Sequence, residues 1–353
     1  MAQKIPATVI TGFLGAGKTT LIRHLLGNAQ GKRIALIINE FGDLGVDGDI
    51  LKGCGDETCT EDDIMELSNG CICCTVAEDF IPTLEKLLDR PEPPDHIVIE
   101  TSGLALPQPL VRAFNWPEIR TRVTVDGVVT VVDGKAVEEG RFAHDLDAVD
   151  AQRKADDNLD HETPLSELFD DQIACADMIV VNKTDLLTDA GAGLSERLKG
   201  EARDGVQVVK STMGALPVDV LLGQGVGAEN DLDARHEVHH HHHDHDDHDD
   251  HDDHDDHHEH DHDDFESFVL ELEEVGDAQS FVERLADVIR RHDILRLKGF
   301  ASIKGKPMRL TIQAVGPRID SYFDGHADQA RKTRLVVIGQ SGLDRAAIEA
   351  SLT

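Results

Sequence analysis

Positive charge is scarce in this chain: 34 Lys and Arg stand against 69 Asp and Glu, for a formal net charge of -35. The segment from His239 to Asp264 holds 13 of the acidic residues, and the remainder still stands at -22. Nucleic acids and anionic membrane surfaces are bound by clustered Lys and Arg, so this balance argues against both and suits a protein that attracts cations. Long apolar runs are missing as well; none approaches the roughly 18 residues that cross a bilayer. The opening "MAQKIPATVITGFLGAGKTT" leads from a short apolar run straight into a glycine-rich motif, with no cleavage-site pattern. These absences predict a cytoplasmic protein. Cysteine is sparse too, six in 353 residues, and in a reducing compartment structural disulfides are disfavoured.

What is present is enough for about two domains of ordinary size, with 40% hydrophobic residues to fill their cores. Apolar, β-branched runs recur between helical patterns: "ATVITG", "RIALIIN", "HIVIET", "GVVTVVD", "DMIVVNK" and "VQVVKS". Continuous rather than alternating apolar runs are what a parallel sheet covered on both faces requires. Residues 1–225 therefore read as one α/β domain with a doubly wound, mostly parallel sheet. Residues 226–264 break the pattern with an Asn- and Asp-rich lead-in and the tract "HHHHHDHDDHDDHDDHDDHHEHDHDD". A segment with nothing apolar to bury cannot offset the entropy of ordering, so a disordered linker is expected. Residues 265–353 regain periodicity, with "FESFVLELEE", "ILRLKGF", "PMRLTIQAV" and "TRLVVIG" as strands and "DAQSFVERLADVIRRH" as an amphipathic helix, which makes a small α+β domain.

The stretch "GFLGAGKT", Gly12 to Thr19, fits the phosphate-binding loop G-x4-G-K-[ST] and lies between a strand and a helical run, as that loop demands. Backbone N–H groups from Gly12 through Gly15, Ala16 and Gly17 to Thr20 can curl around a phosphate. Lys18 reaches the β and γ oxygens, and the Thr19 hydroxyl can ligate Mg2+. "NKTD", with Asn182, Lys183 and Asp185, follows an apolar strand and matches the N-K-x-D pattern of guanine sites. A carboxylate at Asp185 pairs with the ring N1–H and exocyclic amine of guanine, a pair adenine lacks, so GTP is favoured over ATP. "IVIETSG" places Glu100 at a strand end near the Mg2+ shell and Gly103 where its N–H could sense a γ-phosphate. No water-positioning glutamine is apparent nearby, so intrinsic GTP hydrolysis is expected to be slow.

Three of the six cysteines crowd into "SNGCICCTV" as Cys71, Cys73 and Cys74. A redox device, a metal site and small buried hydrophobes are all open readings of that cluster. Cys54 and Cys59 read as loop thiols or an accessory site, and Cys175, inside a helical run, as core. The histidines of the tract, among them His239, His240, His241, His242, His243, His245, His248, His251, His254 and His257, are imidazole ligands on a flexible chain or part of a solubilising acidic segment.

In this order, "TGFLGAGKTT", "NEFG", "NGCICC", "ETSGLALP" and "NKTD" closely resemble the CobW family of metal-linked GTPases, relatives of the urease and hydrogenase nickel-insertion GTPases. The resemblance runs through both folded domains and is strongest to the family's cobalamin-biosynthesis branch. It implies a GTP-dependent metallochaperone that supplies Co2+ to the cobaltochelatase of the aerobic cobalamin pathway, with a zinc chaperone of the same family as the alternative. Under that reading two thiolates of Cys71, Cys73 and Cys74, joined by Glu40 of "NEFG", hold Co2+ or Zn2+, because three sulfurs so compactly spaced do not easily bind one ion. The histidine tract becomes an accessory metal store. The partners implied are the cobaltochelatase or another metal-receiving protein, with a homodimer left open. A small-molecule kinase would leave the cysteines unexplained, and a simple metal store would leave the phosphate loop and "NKTD" unexplained.

Overall fold

The computed structural model describes residues 4–29, 31–38, 64–66, 80–155, 164–232, 235, 265–326 and 331–352. These divide into two compact units, parted after His236. In the first, seven parallel strands lie in the order β3-β2-β4-β1-β5-β6-β7. They are β1 (Ile5–Thr11), β2 (Ile34–Ile38), β3 (Ile64–Glu66), β4 (His96–Glu100), β5 (Val123–Asp133), β6 (Met178–Asn182) and β7 (Gln207–Lys210). The helices are α1 (Lys18–Gly27), α2 (Ile81–Leu88), α3 (Pro107–Ala113), α4 (Gly134–Glu138), α5 (Leu146–Ala155), α6 (Leu165–Cys175), α7 (Ala192–Glu201) and the single turn α8 (Val218–Leu221).

Helices cover both faces of the sheet, which is why β2, β4 and β6 are buried at every position. On one face Phe80, Leu84, Leu87 and Leu88 of the α2 segment pack with Val9, Ile37 and Ile99, the helix offering an apolar stripe at i, i+4, i+7 and i+8. On the other, Phe169 and Ile173 of α6 and Leu194 and Leu198 of α7 cover Val132, Ile179 and Val181. The strand order reverses beside β1, so the carboxyl ends of β1, β4, β5 and β6 open onto one edge, where ligands of such sheets bind.

The first unit continues past residue 225, where the sequence pattern breaks. Glu229 is buried, accepting from Thr124 Oγ1 at 2.7 Å and from the Val125 backbone at 2.9 Å. Arg235, with no exposed surface, grips both carboxylate oxygens of Asp177, at 2.9 and 3.1 Å, at the amino end of β6. A charge in the right place thus carries the packed chain about ten residues farther than apolar periodicity indicates.

The second unit is a five-stranded antiparallel sheet, order β11-β10-β9-β12-β8. Its strands are β8 (Phe265–Leu272), β9 (Arg296–Ser302), β10 (Met308–Val315), β11 (Arg318–His326) and β12 (Thr333–Gln340). Helices α9 (Ala278–Arg291) and α10 (Arg345–Leu352) complete it. Phe281, Leu285 and Ile348 pack on Leu270, Leu297, Ile312 and Leu335 to form its core. Neither β3 nor β11 stands out in the sequence. Both are edge strands, and β11 has no fully buried residue to stamp an alternation on it.

Candidate nucleotide-binding site

The turn between β1 and α1 is built on backbone that a side chain would obstruct. Gly17, the residue before α1, has φ 101°, and a Cβ there would lie 2.2 Å from Asn182 Nδ2. That side chain occupies the space because its amide donates to the Ala16 carbonyl at 2.9 Å. Gly12 and Ala16 are buried, Gly15 is exposed and Thr20 is half-buried. Lys18 is buried along its stem, and its ammonium lies across the loop, donating to Gly12 O at 2.8 Å and Phe13 O at 3.4 Å. The loop thus presents one cation and the N-terminus of a ten-residue helix at the sheet edge.

From the neighbouring strand β4, Glu100 reaches the same place, its Oε1 accepting from the Thr19 hydroxyl at 3.4 Å. A hydroxyl and a carboxylate side by side are the hard oxygen donors that Mg2+ prefers, so the residues present fit that ion. The chain then passes Thr101, whose N–H donates to Ile10 O at 2.9 Å, and brings Gly103 against the phosphate loop. A Cβ on Gly103 would stand 2.7 Å from Leu14 N, so only glycine permits this approach. The turn is held from behind by Gln172 of α6, fully buried, whose amide donates to Gly103 O at 3.1 Å and Ala105 O at 3.2 Å. Gln152 of α5 donates to Ser102 Oγ at 3.4 Å.

Residues 182–185 leave β6 on the far side of the loop. Asn182 Oδ1 accepts from the Gly214 backbone at 3.1 Å, while Thr184 Oγ1 donates to Ser211 O at 3.1 Å and lies 3.0 Å from Thr212 Oγ1. Asp185 is exposed, between these anchors. Lys183 takes φ 61° and its ammonium meets Asp133 Oδ2 at 2.6 Å. The fold therefore gathers Gly12 to Thr20, Glu100, Gly103, Asn182, Lys183 and Asp185 at one edge of the sheet. Glu40, Cys71, Cys73, Cys74, Cys54, Cys59 and the histidines from His239 to His257 lie outside the described residues. Among the described residues no group of three His, Cys, Asp or Glu side chains could hold a metal ion. Cys175 is core, and burial pushes its thiol up to about 11.

Residues 6–210 match the CobW/HypB/UreG nucleotide-binding domain, and residues 265–353 match the cobalamin synthesis protein cobW C-terminal domain. The chain is a P-loop GTPase of the CobW/HypB/UreG family. It is 60% identical over 356 residues to the zinc chaperone CobW of Sinorhizobium sp, covering 99% of this chain and 97% of the relative. The zinc chaperone CobW of Pseudomonas aeruginosa is 54% identical, over 98% of this chain and 90% of the relative. The zinc chaperone YjiA of Escherichia coli is 31% identical, over 95% and 94%. No helix among the described residues is long and apolar enough to cross a membrane.

Three parts of this CobW-family site escape sequence reasoning. Asp133 closes the apolar run "GVVTVVD" much as Asn182 closes its own, a signal that was available. Gln172 is a polar residue on the buried side of an otherwise apolar helix stripe. The Ser211–Gly214 turn directly follows a strand, yet nothing local announces that it will pack on Asn182.

Proposed function

We propose that this GTPase is a GTP-dependent zinc metallochaperone, in which nucleotide state controls the affinity of a thiolate site. The observation that carries the reading is near-full-length identity of 60% and 54% to two relatives named zinc chaperones. Cobalt delivery to a cobaltochelatase, the first expectation from the family resemblance, has no such support. Chemistry agrees, because a thiolate site of given geometry holds Zn2+ more tightly than Co2+.

In this reading Lys18 binds the β and γ oxygens and the amides of Gly15 to Thr20 surround the β-phosphate. Thr19 and Glu100 hold Mg2+, which when bound neutralises charge on the phosphate oxygens. Gly103, wedged against Leu14, offers its N–H to the γ-phosphate, and Asp185 reads guanine. Glu40 lies two residues beyond β2, whose carboxyl end opens on the nucleotide edge, and it joins two thiolates of Cys71, Cys73 and Cys74 around the zinc cargo. GTP orders that site and hydrolysis releases the ion to a receiving protein, a switch of the order-to-disorder kind.

Linkage requires that GTP and zinc strengthen one another equally. Competition against a chromophoric chelator should reveal one zinc equivalent held roughly tenfold or more tighter in Mg-GTP than in Mg-GDP, within the usual range of such couplings. Equal zinc affinity in the two states would overturn the switch. A GTP-dependent site that prefers Co2+ to Zn2+ would return the assignment to cobalt.

A further inference from the structure

We propose that Asp133 is a positioning residue for guanine recognition: the structure ties the Lys183 ammonium to the Asp133 carboxylate and so fixes the turn that presents Asp185. The inference rests on the reading of Asn182 to Asp185 as the base-binding segment. Asp133 is the last residue of β5 and lies opposite Asn182 in parallel register. It is 2% exposed, and its two oxygens have separate tasks. Oδ1 accepts from the Ala136 backbone at 3.1 Å and caps α4, while Oδ2 takes the Lys183 ammonium at 2.6 Å. A carboxylate buried this deeply needs a cation beside it, and Lys183 is the one the hydrogen bonds supply.

The other end of the contact explains what it is for. Lys183 has φ 61°, a left-handed conformation that side chains with a Cβ adopt only when their surroundings hold them. Two contacts hold it: the Leu186 N–H donates to Lys183 O at 3.0 Å, and Asp133 pins the ammonium. The sharp turn at Lys183 separates two residues with different jobs. Asn182, before it, is bound to the phosphate loop through Ala16, and Asp185, after it, is exposed at the mouth. Where the Asp185 carboxylate stands relative to the phosphate loop is thus set by the turn at Lys183 together with the Thr184 anchors to Ser211 and Thr212, and Asp133 holds the Lys183 side of that turn. A site ordered before its ligand arrives spends less binding energy on ordering.

The test uses the full chain as Asp133→Asn, which keeps an oxygen for the Ala136 cap, Lys183→Met, which keeps the stem, and the double variant. GDP and ADP affinities are read by displacement of a fluorescent ribose-labelled GDP. Each single variant should bind GDP about three- to tenfold more weakly, the effect of unfreezing one long side chain, with ADP affinity unchanged. The double variant should be no weaker than Lys183→Met alone. Equal losses for GDP and ADP, or losses that multiply in the double variant, would reduce Asp133 to a structural residue and overturn the proposal. If Asp133→Asn does not fold, Lys183→Met must still lower the GDP to ADP preference, or the proposal falls. Asp185→Asn separates the two layers, since an amide there should exchange preference for GDP for preference for XDP. No exchange would remove the base-binding reading and this inference with it; an exchange with an unaltered Asp133→Asn preference would remove this inference alone.

Discussion

Asn182 holds the phosphate loop from the far side of the nucleotide site: its amide donates to the Ala16 carbonyl at 2.9 Å, 166 residues away in sequence. Its oxygen meanwhile accepts from the Gly214 backbone at 3.1 Å. One buried side chain therefore joins the segment that binds phosphate, the end of β6 and the turn after β7. Asn182→Asp keeps the shape, removes the donor and sets a carboxylate against a carbonyl. Leaving such groups unpaired costs about 1–3 kcal/mol, so GTP and ATP should both bind roughly tenfold more weakly or worse, as titration calorimetry would register. A loss confined to GTP would mean that Asn182 acts only on the base.

Asp185 is expected to behave in the opposite way. Removing a charged acceptor of two guanine hydrogen bonds costs on the order of 1.5–3 kcal/mol, so Asp185→Ala should weaken GTP about tenfold or more while leaving ATP where it was. Wild-type protein that binds ATP as tightly as GTP would refute the assignment.

Arg235 should prove to be a stability residue. It has no exposed surface and shares Asp177 with Arg203, which lies 3.2 Å from the same carboxylate. Arg235→Leu deletes one of two cations beside a buried carboxylate, and with Arg203 still in place the cost should fall near the lower end for a broken buried pair, about 3 kcal/mol. The urea midpoint of the first unit would report it, with GTP selectivity unmoved.

His96 gives the first unit an acid limit. Its Nε2 lies 2.8 Å from Thr8 Oγ1, and burial lowers its pKa from 6.5 to about 4, with Asp126 opposing the shift and Lys32 adding to it. The unfolded chain takes up a proton below about 6.5 that the folded one refuses until about 4. The histidine's contribution is thus complete above 6.5 and is lost as the pH falls from there toward 4, by about 3 kcal/mol in all. Melting temperatures between pH 7 and pH 4.5 should drop less steeply for His96→Gln than for the wild type.

The cysteine cluster and the histidine tract should separate cleanly as metal sites. Cys73→Ala or Cys74→Ala should abolish the GTP-dependent zinc equivalent. Deleting residues 239–264 should remove several weaker, nucleotide-independent equivalents and spare both the tight site and hydrolysis. Weak loading should fall steeply toward pH 5, where imidazoles flanked by Asp hold protons in competition with metal. Loss of the tight site on deletion would merge store and switch.

Much of this molecule is legible without coordinates. Six of the seven parallel strands announce themselves as apolar β-branched runs, and for the inner five, β2, β4, β1, β5 and β6, the reason is that a strand covered on both faces needs few polar residues. The phosphate loop and "NKTD" are contiguous motifs whose chemistry is written in adjacent residues, and they carried the family as well. Edge strands β3 and β11 stayed hidden for the converse reason, since little of either is buried.

What only the tertiary structure decided is how distant polar residues are paired. Lys183 finds Asp133 50 residues away, Gln172 finds Gly103 69 away, and Arg235 finds Asp177 58 away. Asp133, Gln172, Asp177 and Arg235 are ordinary polar residues in their own segments. They meet because β6 lies beside β5 and α6 packs behind the turn after β4, and strand order is a property of the whole sheet. Local periodicity reports which face of an element is buried; which neighbour that face meets is settled by long-range packing, and the anchors of the nucleotide site depend on that neighbour.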